Sequence, residues 1–210
     1  MFTNGVPLGD IDDENNIKSN TLVLSNDSDL NQFFETVDAT REDNEDLPKH
    51  LNKRADFTSA QRQFQNEMLA AHNSYRARHC AQPLQLDDPL SRSAQDYAQK
   101  LASTNQFSHS GTKGVGENLY KAWSSNTIKI NGTKAVTSWY NEIKDYNFNN
   151  GGFSMKTGHF TQVVWRSTKK LGVGVAYADG GRNVVVVCQY SPPGNYQGQY
   201  QANIRPQGSC

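Results

Sequence analysis

At 210 residues the chain is long enough for one domain of ordinary size plus an appendage. A hydrophobic fraction of 35% and a mean hydropathy of -0.77 are low for a chain that folds throughout, so part of it is predicted to stay unfolded. The net charge of +0 hides an asymmetry: residues 1–57 hold thirteen Asp/Glu against five Lys/Arg, and residues 58–210 hold eight against sixteen. An acidic segment therefore precedes a basic domain, a balance suited to a solvated surface or to anionic partners such as lipid headgroups or sulfated glycans.

No apolar run reaches membrane-spanning length, and the first thirty residues lack both a basic n-region and a hydrophobic h-region. The chain thus reads as not transmembrane and without a secretion signal. Residues 1–57, rich in Asp, Asn, Glu and Ser, are expected to be disordered, with one weak helical patch around Leu30–Val37 and a dibasic pair at Lys53-Arg54.

Folding is predicted to begin at Thr58, which forms a capping box with Gln61. Phe64, Met68, Ala71 and Tyr75 recur at helical spacing, so a first helix should run to about Arg78. Asp87-Asp88-Pro89 opens a second helix whose apolar face is Leu90, Ala94, Tyr97, Ala98 and Leu101. Gly132–Tyr146 reads as a third, with Val136, Trp139, Tyr140 and Ile143 on one side. The β-rich runs Lys169–Ala178 and Arg182–Tyr190, joined at Asp179-Gly180-Gly181, read as a hairpin. Helices followed by strands, without βαβ alternation, predict an α+β fold with an antiparallel sheet between helical layers.

Three cysteines, Cys80, Cys188 and Cys210, make an odd, low count without close pairing, so no disulfide framework is expected. Cys188, in an apolar run, reads as a buried small hydrophobe. Cys210 lacks the arrangement of a prenylation box.

Four residues carry chemistry. His109 lies in a loop after the second helix, and Glu117 in a glycine-flanked stretch also read as a loop. Glu142 lies on the third helix, and His159 opens the run Gly158–Trp165 in a glycine and aromatic frame. Two imidazoles and two carboxylates in one cleft would suit a divalent metal, with the histidine nitrogens as ligands and water or carboxylate completing the shell. The same set would suit general acid–base work. No Gly-x-Ser-x-Gly, His-Glu-x-x-His, phosphate loop, dinucleotide fingerprint or nucleic-acid module occurs. A binding role is therefore expected ahead of an enzymatic one, and nucleic acid is excluded as partner.

Four signatures in order, His72-Asn73-Ser74-Tyr75-Arg76, Gly116-Glu117-Asn118, Gly158–Trp165 and Val187–Tyr196, make residues 58–206 resemble a CAP domain. This is the fold of the cysteine-rich secretory proteins, antigen 5 and the plant pathogenesis-related 1 proteins. Residues 207–210 form a short tail. The stretch Trp139–Phe148 is similar to the Golgi-associated, signal-less branch.

The resemblance implies a three-layer α-β-α sandwich with a central antiparallel sheet. It implies that His109, Glu117, Glu142 and His159 are the family's cavity tetrad, with His109 and His159 able to hold zinc weakly and exchangeably. Glu117 and Glu142 are then the candidate acid–base residues. Lipids, sterols or an anionic membrane are the implied ligands. A secreted defence or signalling module, or a weak zinc-dependent hydrolase, are the alternatives.

Two departures stand out. Val173 occupies the position of a cysteine that usually pairs with the strand cysteine, leaving Cys188 without its usual partner. That points to a reducing compartment, with Cys80 as an alternative partner. The cysteine-rich C-terminal extension is absent, and with it the case for ion-channel modulation. The family implies an extracellular location, and the lack of a signal implies a cytoplasmic or Golgi-membrane one. Asn131-Gly132-Thr133 and Asn26-Asp27-Ser28 match the glycosylation acceptor pattern.

Overall fold

The computed structural model describes residues 56–104 and 106–210. The Leu30–Val37 patch and Lys53-Arg54 lie outside these. In chain order the elements are α1 (Ser59–Ala77), β1 (Gln85–Leu86), α2 (Asp88–Thr104), β2 (Gly116–Trp123), α3 (Gly132–Tyr140), a 3-10 turn (Asn141–Asp145), α4 (Gly158–Val164), β3 (Lys170–Ala178), β4 (Asn183–Ser191) and α5 (Tyr200–Asn203).

The sheet order is β1-β3-β4-β2, with β3/β4 and β4/β2 antiparallel and the two-residue β1 parallel to β3. β4 is buried on both faces. Val185 and Val187 join Leu119 and the α2 residues Ala94, Ala98, Leu101 and Ala102 in one core. Val184, Val186, Cys188 and Tyr190 join α1, α3 and α4 in the other. This is the expected three-layer sandwich, and the continuous apolar run of β4 is what a strand covered on both sides requires.

Layer spacing depends on two glycines. A Cβ on Gly172 or Gly174 would lie 2.3 or 2.4 Å from the α2 backbone at Leu90 or Ala94, so α2 rests directly on β3. Because β1 covers only the start of β3, side chains satisfy the rest of that edge. Ser91 accepts from Val173 N at 3.2 Å, and Gln65 donates to Val173 O at 3.3 Å. Gln95 both accepts from Val175 N at 3.0 Å and donates to Val175 O at 2.8 Å. An exposed pairing edge is thereby closed.

The capping box at Thr58 and Gln61 forms as read, and Arg78 caps the end of α1. The turn between β3 and β4 uses left-handed Asp179, Gly180 and Gly181, at φ 51, 62 and 82. The third helix ends early. After Tyr140 the chain tightens into the 3-10 turn Asn141–Asp145, where Ile143 packs half-buried on the core and Glu142 is held by α4. Glu117 lies in β2 rather than a loop, paired with Gln189. The strand escaped notice because its burial does not alternate: Asn118 and Leu119 are adjacent and both buried.

The cysteine reading is corrected. Cys80 and Cys210 form a disulfide across a sequence separation of 130, and Cys188 is the free, buried thiol. Val173 lies directly opposite Cys188 in the β3/β4 register, and Cys80 is not its partner. The pair forms because the last residues fold back over the end of α1: Gly208 N donates to Arg78 O at 3.1 Å, and His79 Nδ1 donates to Arg205 O at 2.6 Å. No local spacing signals such a contact. The case for a reducing compartment, built on Val173, loses its support.

Two predictions follow from the packing. Cys210→Ser should lower stability by about 2–4 kcal/mol in urea unfolding, because the bridge closes a very long loop. Reductant should bring the native protein to the same midpoint and leave the variant unchanged. The second concerns His72, wholly buried between Met68 O at 2.7 Å and the Tyr190 hydroxyl at 2.8 Å.

Burial pushes His72 down to about 4. From the ordinary value near 6.5 down to that value only the unfolded chain takes up the proton. Stability therefore falls as pH drops through this window, by about 1.4 kcal/mol per unit once well inside it. His109, raised by its bond to Glu117, acts in the opposite sense, but its side chain is exposed and solvent screens it. Urea midpoints at about pH 7 and about pH 5 should show the fall, and His72→Gln should reduce it, with His79, also lowered by burial, supplying the remainder.

Candidate functional site

The four predicted site residues form two His–Glu dyads. Glu117 accepts His109 Nδ1–H at 2.9 Å, Ser110 N–H at 2.8 Å and the Gln189 amide at 3.2 Å. Burial raises the Glu117 carboxyl, but these bonds outweigh it and hold the group below its ordinary value. The bond from Glu117 correspondingly raises His109, against partial burial. The loop before His109 is tied to α2 by the Tyr97 hydroxyl, which donates to Ser108 O at 2.6 Å.

Glu142, on the 3-10 turn, accepts His159 Nδ1–H at 2.7 Å. Its other oxygen accepts the backbone N–H groups of His159 and Phe160 at 3.0 and 3.1 Å. The Gly158–Trp165 run folds as α4, with Phe160 to Val164 buried, so the imidazole sits at the start of a rigid element. Trp139 stacks on that ring, with centroids 6.2 Å apart and planes 16° apart, and donates its indole N–H to Leu119 O at 3.1 Å.

In the neutral form of either imidazole, giving Nδ1–H to a carboxylate leaves Nε2 as the acceptor. This is the tautomer a metal-binding histidine uses. The dyads are neighbours along β2: Asn118, next after Glu117, donates to His159 O at 3.1 Å. A cavity of about 330 Å³ is lined by Phe107, Leu119, Tyr120, Lys121, Ser138, Trp139, Glu142 and His159. Its lining includes one dyad and not the other. Among the described residues no group of three or more His, Cys, Asp or Glu is placed to hold a metal, so the four do not form one ligand cluster.

Sequence reasoning missed Asn118, Gln189 and Asn195, which hold the site residues, and Phe107, which walls the cavity with Lys121 Nζ 5.2 Å from its ring centre. The first three lay inside the quoted signatures, which was the available signal.

An α-β-α sandwich carrying paired His–Glu dyads at the open edge of its sheet defines a class of domain, and similarity gives that class its name. The profile of the cysteine-rich secretory protein (CAP) family matches residues 69–190, and the chain belongs to this family. It is 46% identical over 153 residues to the human Golgi-associated plant pathogenesis-related protein 1, covering 70% of this chain and 96% of that protein. Among solved structures it is similar to BmVAL-1, at 27% identity and a TM-score of 0.57, over 74% of this chain and 84% of that one. It is likewise similar to NaASP2, solved with Zn2+, at 26% identity and a TM-score of 0.53, over 70% and 86%.

Glu142→Gln removes the charge on which three donors converge. It should lower stability by about 1–3 kcal/mol and release His159 from a single tautomer, seen by long-range proton–nitrogen NMR of the ring. An unchanged ring spectrum would contradict the dyad.

Proposed function

We propose that this CAP domain binds lipid or sterol ligands at anionic membrane surfaces, using the face that carries His159. The observation that carries the reading is the loop leading into α4. On it Phe153 is 60% exposed and Met155 is 88% exposed, beside Lys156. Large apolar side chains held out into water by a short loop suit the headgroup boundary of a bilayer. Phe153 lies over Gly158, where a Cβ would meet its ring at 3.3 Å, so the exposed tip adjoins the His159 turn. The cavity beside it offers Phe107, Leu119 and Trp139 to an apolar group. The excess of sixteen basic over eight acidic residues in 58–210 supplies the attraction to anionic lipid.

His109 and His159 are the residues that would hold a divalent metal, zinc being the one their nitrogen donors suit. The donor chemistry fits in part: each Nδ1 is fixed by a carboxylate, the usual support of a zinc-bound histidine, while among the described residues no group of three His, Cys, Asp or Glu is placed around one metal. Two protein ligands are fewer than the three usual for catalytic zinc, which supports weak, exchangeable binding. Glu117 and Glu142 each already accept three donors, which argues against either as general base and against the hydrolase alternative. A secreted defence or signalling role is the second reading, favoured by the Cys80–Cys210 disulfide, which suits an oxidising compartment.

Flotation with phosphatidylserine-containing vesicles tests the membrane reading. Exchanging both Phe153 and Met155 for Ser should weaken partitioning about a hundredfold, since each inserted side chain contributes about 1.5 kcal/mol. Raising salt should weaken it further. A double variant that floats like the native protein, or binding indifferent to salt and lipid charge, would sink the reading.

A further inference from the structure

His159 is held by more than its own dyad. Every peptide group beside it is tied by a side chain from a different part of the chain. Glu142 accepts the N–H groups of residues 159 and 160. Asn118, on β2 and 1% exposed, donates to the carbonyl of residue 159 at 3.1 Å. Asn195, on the loop after β4, donates to the carbonyl of residue 158 at 2.9 Å.

Asn195 grips this turn twice, because its side-chain oxygen also accepts the Thr161 hydroxyl at 2.6 Å. One residue back, Gly194 N donates to Gln162 Oε1 at 2.8 Å, so the loop lies along α4 from residue 158 to residue 162. Asn195 is itself fixed by the Tyr200 hydroxyl, which donates to its carbonyl at 3.2 Å. Its φ of 61 is a left-handed conformation that Asn tolerates and most side chains resist. Neither asparagine has a hydrogen bond to the imidazole. Their bonds fix where the backbone that carries it lies.

We propose that Asn118 and Asn195 are positioning residues that set the direction of His159 Nε2. They do so by fixing the carbonyls on either side of the His159 residue, while Glu142 fixes the N–H groups. The four peptide atoms around the ring are then constrained from three elements, and the ring has one direction in which to present its free nitrogen. The proposal rests on the reading of His159 as the ligand-binding nitrogen. It assigns a purpose to two of the signature stretches, Gly116-Glu117-Asn118 and the segment ending Gly194-Asn195-Tyr196, whose asparagines do not line the cavity beside His159.

The test uses the full chain and two variants chosen for what they keep. Asn195→Gly retains the left-handed backbone and removes both side-chain bonds. Asn195→Asp retains the acceptor for Thr161 and removes the donor to the residue 158 carbonyl. Long-range proton–nitrogen NMR of the metal-free protein should show His159 as a single tautomer, protonated at Nδ1. It should show a mixed or shifted ring signal in Asn195→Gly and an intermediate one in Asn195→Asp.

Calorimetric titration with zinc alone should give about tenfold weaker binding for Asn195→Gly, the low end of the range for losing support around a metal ligand. Asn118→Ser should act in the same direction. Because Asn118 is buried in a strand and its variant may not fold, the loop variants decide. A role in stability alone would lower the urea midpoint and leave the ring spectrum unchanged, and that result overturns the proposal. If the native protein takes up no zinc, the metal reading fails by itself, and the ring spectrum still judges the positioning.

Discussion

The domain depends on one buried guanidinium. Arg76, on α1 and wholly buried, donates to four backbone carbonyls: Gln82 O at 2.8 Å, Val163 O at 3.0 Å, Trp165 O at 2.8 Å and Thr168 O at 2.9 Å. None of these partners is a carboxylate. Burial pushes the group down to about 10, still far above any physiological pH, so the charge persists inside the protein. Leaving a buried cation unsolvated costs several kcal/mol, and a dense set of carbonyl acceptors is what offsets that cost. Only a chain that delivers the end of α4 and the start of the β3 approach to this point can provide them.

That requirement shapes the site at the other end of the same helix. α4 has seven residues, too short to be stable on its own. Arg76 satisfies carbonyls at its C-terminal end, and Glu142 satisfies N–H groups at its N-terminal end, each charge having the sign the helix dipole favours. His159 is thus carried by an element clamped between an anion and a cation from two other parts of the chain. Trp139 stacks on the His159 ring. An imidazole mounted this way cannot drift with a loop, whereas His109, whose side chain is 61% exposed, has only Glu117 beneath it.

What the sequence made legible follows from how local each signal is. The capping box at Thr58, the acidic opening of α2 and the glycine turn between β3 and β4 are decided by residues within a few positions of one another, and they formed as read. β2 was missed because an edge strand partly covered by Trp139 does not alternate. The end of α3 was misjudged because Glu142 is held by α4, seventeen residues on. The Cys80–Cys210 bridge depends on the whole fold bringing the chain end back to α1. The four site residues stood out as titratable groups in their local settings, and the resemblance of the signatures to a known family joined them as one tetrad. Their pairing as dyads, rather than as one cluster, is a matter of distances that no spacing encodes.

The ionic side chains of this site act mainly on backbone. Glu117 and Glu142 bind the amides of Ser110, His159 and Phe160, and Arg76 binds carbonyls alone. In a site built for acid–base chemistry, a carboxylate would keep an oxygen free to face a substrate proton. Here the carboxylates fix two imidazoles, and the imidazoles are left as the groups with unused binding capacity. The proposed holding role draws on this arrangement: carboxylate-fixed imidazoles, an aromatic wall beside one of them and exposed apolar side chains at the approach.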